Sequence, residues 1–195
     1  MSYFFVDVEA DGPCPGLYSM VSFGAVKFDD DLETTFYRET FPITNNYKLE
    51  ALQISCPDRE THEGYGDPHK AMIDFEQWIL NNNTGSRPIF MSDNPAFDWQ
   101  WINYYFHRYL GENPFGYSAR RIGDVYCGAM GNMRAKWKHL RKTPHDHNPV
   151  NDAKGNAEAF RVMQGMMREV KSFKKIQKRY NDLVKTSGVN FTTTR

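Results

Sequence analysis

Residues 3–10, YFFVDVEA, form a short apolar and aromatic run of strand length with two carboxylates embedded in it. Strand side chains alternate between the two faces of a sheet, so Asp7 and Glu9, two positions apart, point the same way. The FFV stretch immediately before Asp7 favours a central, buried strand over a solvated edge. Two acids on one face of such a strand repel each other unless something cationic sits between them. This makes Asp7 and Glu9 candidates for a metal site, although Asp-x-Glu alone is a weak signal that an exposed strand edge would explain equally well.

The runs that follow extend this strand into an α/β pattern. SMVSFGAVKF (19–28) and ETTFYRETF (33–41) are two further β-like runs, so three strands open the chain as an antiparallel meander. Residues 43–67 read as a loop. From Pro68, Ala71, Met72, Phe75, Trp78 and Ile79 recur at helical spacing until NNNTG ends the run. RPIFMS (87–92) is a buried-strand candidate. An aromatic helix follows, with Phe97, Trp101, Tyr104, Tyr105 and Arg108 on one side. Residues 121–125 suit a short strand or a helix start. Ala153, Ala157, Phe160, Met163, Met167 and Val170 form an apolar stripe on a helix beginning near Asp152, continued by Phe173, Ile176, Tyr180 and Leu183. The alternation of strand and helix after the meander implies a parallel section and one α/β domain. Residues 187–195 read as a tail.

A chain of 195 residues suffices for one such core. Asp7 and Glu9 interrupt the region where a signal peptide needs apolar residues, and no stretch approaches 18 apolar residues, so the expectation is a soluble, cytoplasmic protein. Cys14, Cys56 and Cys127 form no zinc-finger spacing and read as reduced thiols. The formal net charge is zero, yet residues 134–185 hold 14 Lys/Arg against 5 Asp/Glu, leaving the rest of the chain at −9. A basic region of that size attracts a polyanion such as nucleic acid, or is simply a solvated helix surface.

Two more acidic positions join the first pair. In NPAFD (94–98), Asp98 lies at a helix start directly after a strand, where open α/β sheets gather their ligands; a helix cap is the plainer account of Asn94 or Asp98. In HDHNPVND (145–152), Asp152 opens the Ala153–Val170 stripe and His147 lies five residues earlier. Together Asp7, Glu9, Asp98 and Asp152 offer four carboxylates, enough for two divalent ions, and all-oxygen ligation suits Mg²⁺ or Mn²⁺. The HDH triplet alternatively suggests zinc, with Asp146 or Asp152 as a further ligand.

These segments resemble the DEDD 3′–5′ exonucleases, in the subgroup whose base is a histidine. DVEADGP matches the first motif, NPAFD the second and HNPVND the third, His-x4-Asp, in the family's order. Residues 3–170 carry the resemblance, and within the family the short aromatic-rich chain looks most like small RNase T-like, polyadenylate-trimming exoribonucleases and phage exonuclease relatives. The resemblance implies a ribonuclease H-like fold: a central mixed five-stranded sheet, its second strand antiparallel, flanked by helices. It implies an exonuclease domain over residues 1–175 and a basic helical extension and tail over 176–195.

It also implies roles. Asp7, Glu9, Asp98 and Asp152 would hold two Mg²⁺ ions, for which Mn²⁺ substitutes, and His147 would be the general base, with His145 its rival. The product would be nucleoside 5′-monophosphates from single-stranded RNA, or alternatively from DNA; a non-catalytic binding module and a nucleotide phosphohydrolase are readings from other classes. Ala10, Asp11 and Gly12 form a turn beside the metals where backbone can approach a terminal nucleotide. Phe97 and Trp99 flank Asp98 and offer rings for stacking, or pack inward as core. Arg134, Lys136, Trp137 and Lys138, ahead of the Lys174–Arg179 cluster, are candidates for the nucleic-acid backbone. A homodimer, in which one subunit's basic surface feeds the other's site, is a further implication.

Overall fold

The computed structural model describes residues 2–187. Five strands, β1 (Tyr3–Ala10), β2 (Met20–Lys27), β3 (Thr35–Glu39), β4 (Ile89–Ser92) and β5 (Ala119–Arg121), make one sheet in the order β3-β2-β1-β4-β5. The meander β1–β2–β3 is antiparallel, and β4 and β5 add in parallel to the other side of β1. The acid-bearing strand is therefore central, as its apolar FFV segment requires. The sheet with its flanking helices has the ribonuclease H-like arrangement.

The two faces of β1 belong to different cores. Even-numbered Phe4, Val6 and Val8 pack with Phe75 of α3 (Pro68–Asn82) and with Trp101 and Tyr105 of α4 (Pro95–Leu110). Odd-numbered Phe5 packs with Ile122 of α5 (Ile122–Met130), with Trp137, and with Ala153, Ala157 and Phe160 of α6 (Pro149–Ser187). Asp7 and Glu9 continue the row that Phe5 begins. Full burial of rings such as Phe4, Phe75 and Trp101 contributes about 1.5–3 kcal/mol each.

Helix α6 reaches this row because its partners there are small. Gly24 pairs with Asp7 across β1 and β2, and a Cβ at Gly24 would stand 2.6 Å from the backbone nitrogen of Val150 and 2.7 Å from the carbonyl carbon of Pro149. Real Cβ contacts are longer, so the first turn of α6 lies on β2 only because residue 24 is glycine.

Two features differ from the sequence reading. Residues 43–67 contain two short helices, α1 (Leu49–Ser55) and α2 (Arg59–Glu63), rather than only loop. Each buries a single residue, Leu52 and His62, so no periodicity can register over such lengths. Helix α6 starts at Pro149 instead of near Asp152: Asn148 caps it through Oδ1, which accepts from the Val150 and Asn151 N–H groups at 3.0 and 3.2 Å. The same helix runs through position 175 without a break. Its stripe is buried at Ala153, Ala157, Phe160 and Met163 but exposed at Val170, Phe173, Ile176 and Tyr180. The expected tail falls almost wholly at 188–195, outside the described residues. No helix among the described residues is long and apolar enough to cross a membrane.

Candidate active site

Asp7 and Glu9 on β1 meet Asp152 from the first turn of α6. One carboxylate oxygen from each lies within 4.8 Å of the other two. Asp152 is 1% exposed, and its two oxygens are treated differently. Oδ1 accepts from Arg141 Nη2 at 2.7 Å. Oδ2 has no hydrogen-bond partner apart from its ion pair with His145 Nδ1 at 2.5 Å. One divalent cation would suit Asp7, Glu9 and Asp152 together, because their all-oxygen donor set fits a hard ion.

Asp98 stands beside this trio. It is 4% exposed in the first turn of α4, and its Oδ1 accepts the Val8 N–H at 3.2 Å, which ties α4 to β1. Asn94 holds the cap position but makes no side-chain capping bond.

Burial raises the proton affinity of Asp7, Glu9 and Asp98, and repulsion from the neighbouring acids adds to it at Asp7 and Glu9. Burial, with Asp98, Asp152 and Glu9 adding repulsion, holds Asp7 well above the usual carboxylate range. Burial, then Asp152 and Asp98, pushes Glu9 up to about 8. Burial pushes Asp98 up to about 7, against hydrogen bonds from Ser92, Val8 and Asn94. Such a cluster prefers protons or a metal to standing fully ionised.

The histidines sit on the loop that enters α6. His147 Nδ1 is 3.5 Å from Glu9 Oε1, and the His145 and His147 rings are 4.4 Å apart. His147 has φ +60°, left-handed backbone that a non-glycine residue adopts at some cost and that clusters at functional sites. Asp146 holds the turn, accepting from Asn148 N at 3.0 Å and Asn151 Nδ2 at 2.8 Å.

Two braces between α6 and the segment preceding the loop fix the approach to it. Glu158 accepts from the Lys142 and Thr143 N–H groups at 2.9 and 2.7 Å and from the Thr143 hydroxyl at 3.0 Å. Arg141, 8% exposed, pairs with Asp152 and also donates to Asn156 Oδ1 and the Thr143 carbonyl. Gly155 makes the room: a Cβ there would meet Arg141 Nε at 2.5 Å and the Thr143 oxygen at 2.8 Å. Arg141, Gly155 and Glu158 escaped the sequence reading. The spacing of Gly155 and Glu158 from Asp152 along one helix was the available sign, but nothing in it identified their partners.

The residues expected to meet a nucleic acid divide. Arg134, Lys136 and Lys138 are exposed and line a cleft of about 610 Å³ with Arg121 and Asn94, beside the amino end of α4. Lys138 pairs with Asp93 at 3.0 Å. Trp137 departs from expectation: it is 5% exposed in the second core, where its ring abuts Gly123, so it anchors the basic run and offers no face to a base. Phe97 and Trp99 are partly buried, edge-on to Trp101 and Phe90 respectively. Asp11 is also a correction. Its N–H and carbonyl are engaged by Ser19 and Lys48, and its carboxylate by Ser19 N and Arg59, so neither its backbone nor its side chain is free for a nucleotide. Ala10 is buried at the end of β1, and the Tyr18 ring fills the space beside Gly12. Lys174, Lys175, Lys178 and Arg179 are exposed on α6. All three cysteines are free thiols.

This sheet order, with acids at the end of the central strand and at the starts of two helices, defines a class of nucleases. Solved structures share the fold: cell-death related nuclease 4 (TM-score 0.69, 13% identity, 85% of this chain and 64% of that one) and a 3′-exonuclease that recognises the histone mRNA stem-loop (0.66, 14%, 84% and 82%). E. coli exonuclease I in complex with a dA16 oligonucleotide aligns at 0.65 and 16% identity over 87% of this chain but 42% of that one. The chain thus spans less than two thirds of nuclease 4 and under half of exonuclease I. By sequence, residues 2–164 match the 3′–5′ exoribonuclease Rv2179c-like domain, and the chain belongs to that family. It is 36% identical over 179 residues to the 3′–5′ DNA exonuclease Cap18 of Escherichia coli, covering 85% of this chain and 93% of that protein.

Proposed function

We propose that this protein is a metal-dependent 3′–5′ exonuclease that removes nucleoside 5′-monophosphates from single-stranded nucleic acid, with RNA as its first substrate. The observation that carries the reading is the meeting of Asp7, Glu9 and the buried Asp152 within ligand distance of one another, with His147 Nδ1 3.5 Å from Glu9. Asp7, Glu9 and Asp152 would hold one divalent ion, Mg²⁺ or Mn²⁺, and Asp98 with Asp7 a second. When bound, the two ions supply an acidified water and neutralise charge on the leaving 3′-oxygen.

The chain's own groups do the rest. His147, held beside Glu9 by its left-handed backbone and the Asp146 turn, accepts the proton of the attacking water. Arg141 fixes the Asp152 carboxylate in place through Oδ1. Arg134, Lys136 and Lys138 draw the strand's phosphates along their cleft towards Asp98.

RNA is favoured by the description of the family, and a second reading, DNA, by the 36% identity to Cap18. Parallel digestion of 5′-labelled RNA and DNA of one sequence, with Mg²⁺ and with a chelator, ranks them. Faster metal-dependent shortening of RNA supports the first reading, faster shortening of DNA the second, and hydrolysis of mononucleotides alone overturns both. A cytoplasmic homodimer belongs to the same proposal, with the exposed Val170, Phe173, Ile176 and Tyr180 as its contact. Sedimentation velocity at micromolar concentration checks it, and a monomer contradicts it.

A further inference from the structure

Asp152 belongs to two sets of possible metal ligands at once. Ligand atoms of Asp7, Glu9 and Asp152 lie within 4.8 Å of one another, and so do those of His145, His147 and Asp152. The first set is all oxygen; the second is two imidazoles and one carboxylate. Arg141 holds Asp152 Oδ1, and Oδ2, buried, already stands against His145 Nδ1 at 2.5 Å, so the Asp152 carboxylate is shared between the two sets.

We propose that a borderline divalent cation of the zinc class binds His145, His147 and Asp152, competes with the hard cation of the oxygen site for the Asp152 carboxylate, and thereby arrests the exonuclease. The binding site stands on its own residues; the arrest rests on the function proposed above.

Ligand chemistry separates the two sites. Imidazoles suit zinc and its neighbours, whereas carboxylates suit Mg²⁺ and Mn²⁺. Zinc takes nitrogen and oxygen ligands at roughly 2.0–2.2 Å, so two donors on one tetrahedral ion stand roughly 3.3 Å apart. His145 Nδ1 is 2.5 Å from Oδ2, and its ring must swing outward by just under about 1 Å to admit the ion. There is room for that, since the His145 and His147 side chains are 50% and 46% exposed. Three protein ligands leave a fourth position for water. The bound ion would tie up the His147 imidazole and draw the Asp152 carboxylate away from Asp7 and Glu9. No covalent bond changes, so the arrest is reversible by a chelator.

The test is titration calorimetry of Zn²⁺ into the full chain, without Mg²⁺ or nucleic acid, for wild type, His145→Ala and Asp7→Asn. The expected result is one zinc per chain in wild type and in Asp7→Asn, and affinity weakened more than about tenfold in His145→Ala, since even outer-shell changes at metal sites cost that much. Co²⁺ as a probe should give the visible absorption of a four-coordinate site, lost in His145→Ala. Equal zinc affinity in wild type and His145→Ala, or loss of zinc binding in Asp7→Asn, overturns the site. With Mn²⁺ supporting digestion, added Zn²⁺ should inhibit wild type and be relieved by more Mn²⁺, while His145→Ala, measured against its own zinc-free rate, should resist. Inhibition undiminished in His145→Ala overturns the arrest. A wild type that digests no strand refutes the exonuclease reading, and the calorimetry still decides the site.

Discussion

Two glycines on α6 provide a matched pair of perturbations. Gly155 packs against Arg141 and the Thr143 carbonyl, whereas a Cβ at exposed Gly165 meets nothing within 4 Å. Alanine at either position gains about 1 kcal/mol of helix propensity. At Gly165 that gain stands alone and should raise the unfolding midpoint by about 2–4 °C for a chain of this size. At Gly155 the new methyl lies 2.5 Å from Arg141 Nε and 2.8 Å from a backbone oxygen, and overpacking costs about 1–3 kcal/mol. The two effects leave Gly155→Ala between neutral and about 2 kcal/mol destabilised, and about 1–3 kcal/mol below Gly165→Ala. Its activity should suffer more, because relief of the clash moves Arg141 off Asp152 or shifts the segment leading to His147. Misplacing a catalytic group by about 1 Å can cost 10²-fold in rate. Thermal unfolding and single-turnover digestion of a labelled oligomer measure both. Equal stability and full rate in both variants would refute the brace.

Gly24→Ala should destabilise by several kcal/mol, on the order of 3 or more, since its methyl would meet the Pro149–Val150 backbone, which has no rotamer to move; urea denaturation reads this, and a neutral result removes the close seating of α6 on β2. In metal-free protein Glu9 keeps its proton in the folded state up to about 8 but releases it near 4.5 when unfolded. The folded state therefore binds more protons between those values, and stability falls as pH rises through that window. Saturating Mg²⁺ or Mn²⁺ should raise the unfolding midpoint more at pH 8 than at pH 5; an equal rise at both contradicts the buried acid cluster. Arg134→Ala and Lys136→Ala should each weaken strand binding across sequences and lower the salt slope by about 1, and an unchanged slope moves the strand's path away from the cleft.

Much of this was legible because the signals were local. Asp7 and Glu9 announce their shared face by spacing alone, and the FFV segment announces a central strand. The meander and the parallel strand β4 followed from where β-like runs sit relative to helical ones, whereas residues 121–125 stayed open between strand and helix start because β5 has only three residues before α5 begins at Ile122. The start of α6 was misjudged by three residues because the apolar stripe begins at Ala153, while the capping pair Asn148–Pro149 carries the boundary. Trp137 was misread for a related reason: flanking lysines and arginines make a run look solvated, yet one ring in it plugs the core. Asp11 looked like part of an open turn, but long-range bonds from Lys48 and Arg59 occupy it. Arg141, Gly155 and Gly24 act through partners distant in sequence or across elements, and a single chain gives no sign of such pairings.

The central claim is that His147 and the acids around Asp152 form one hydrolytic site. Digestion of 5′-labelled single-stranded RNA and DNA with Mg²⁺ by wild type, His147→Ala, His145→Ala and Asp7→Asn tests it most directly. A ladder shortening from the 3′ end should be lost in Asp7→Asn and slowed about 10²–10⁴-fold in His147→Ala, with His145→Ala retaining far more of the rate. Shortening that survives Asp7→Asn, or that depends on His145 and not His147, would contradict it.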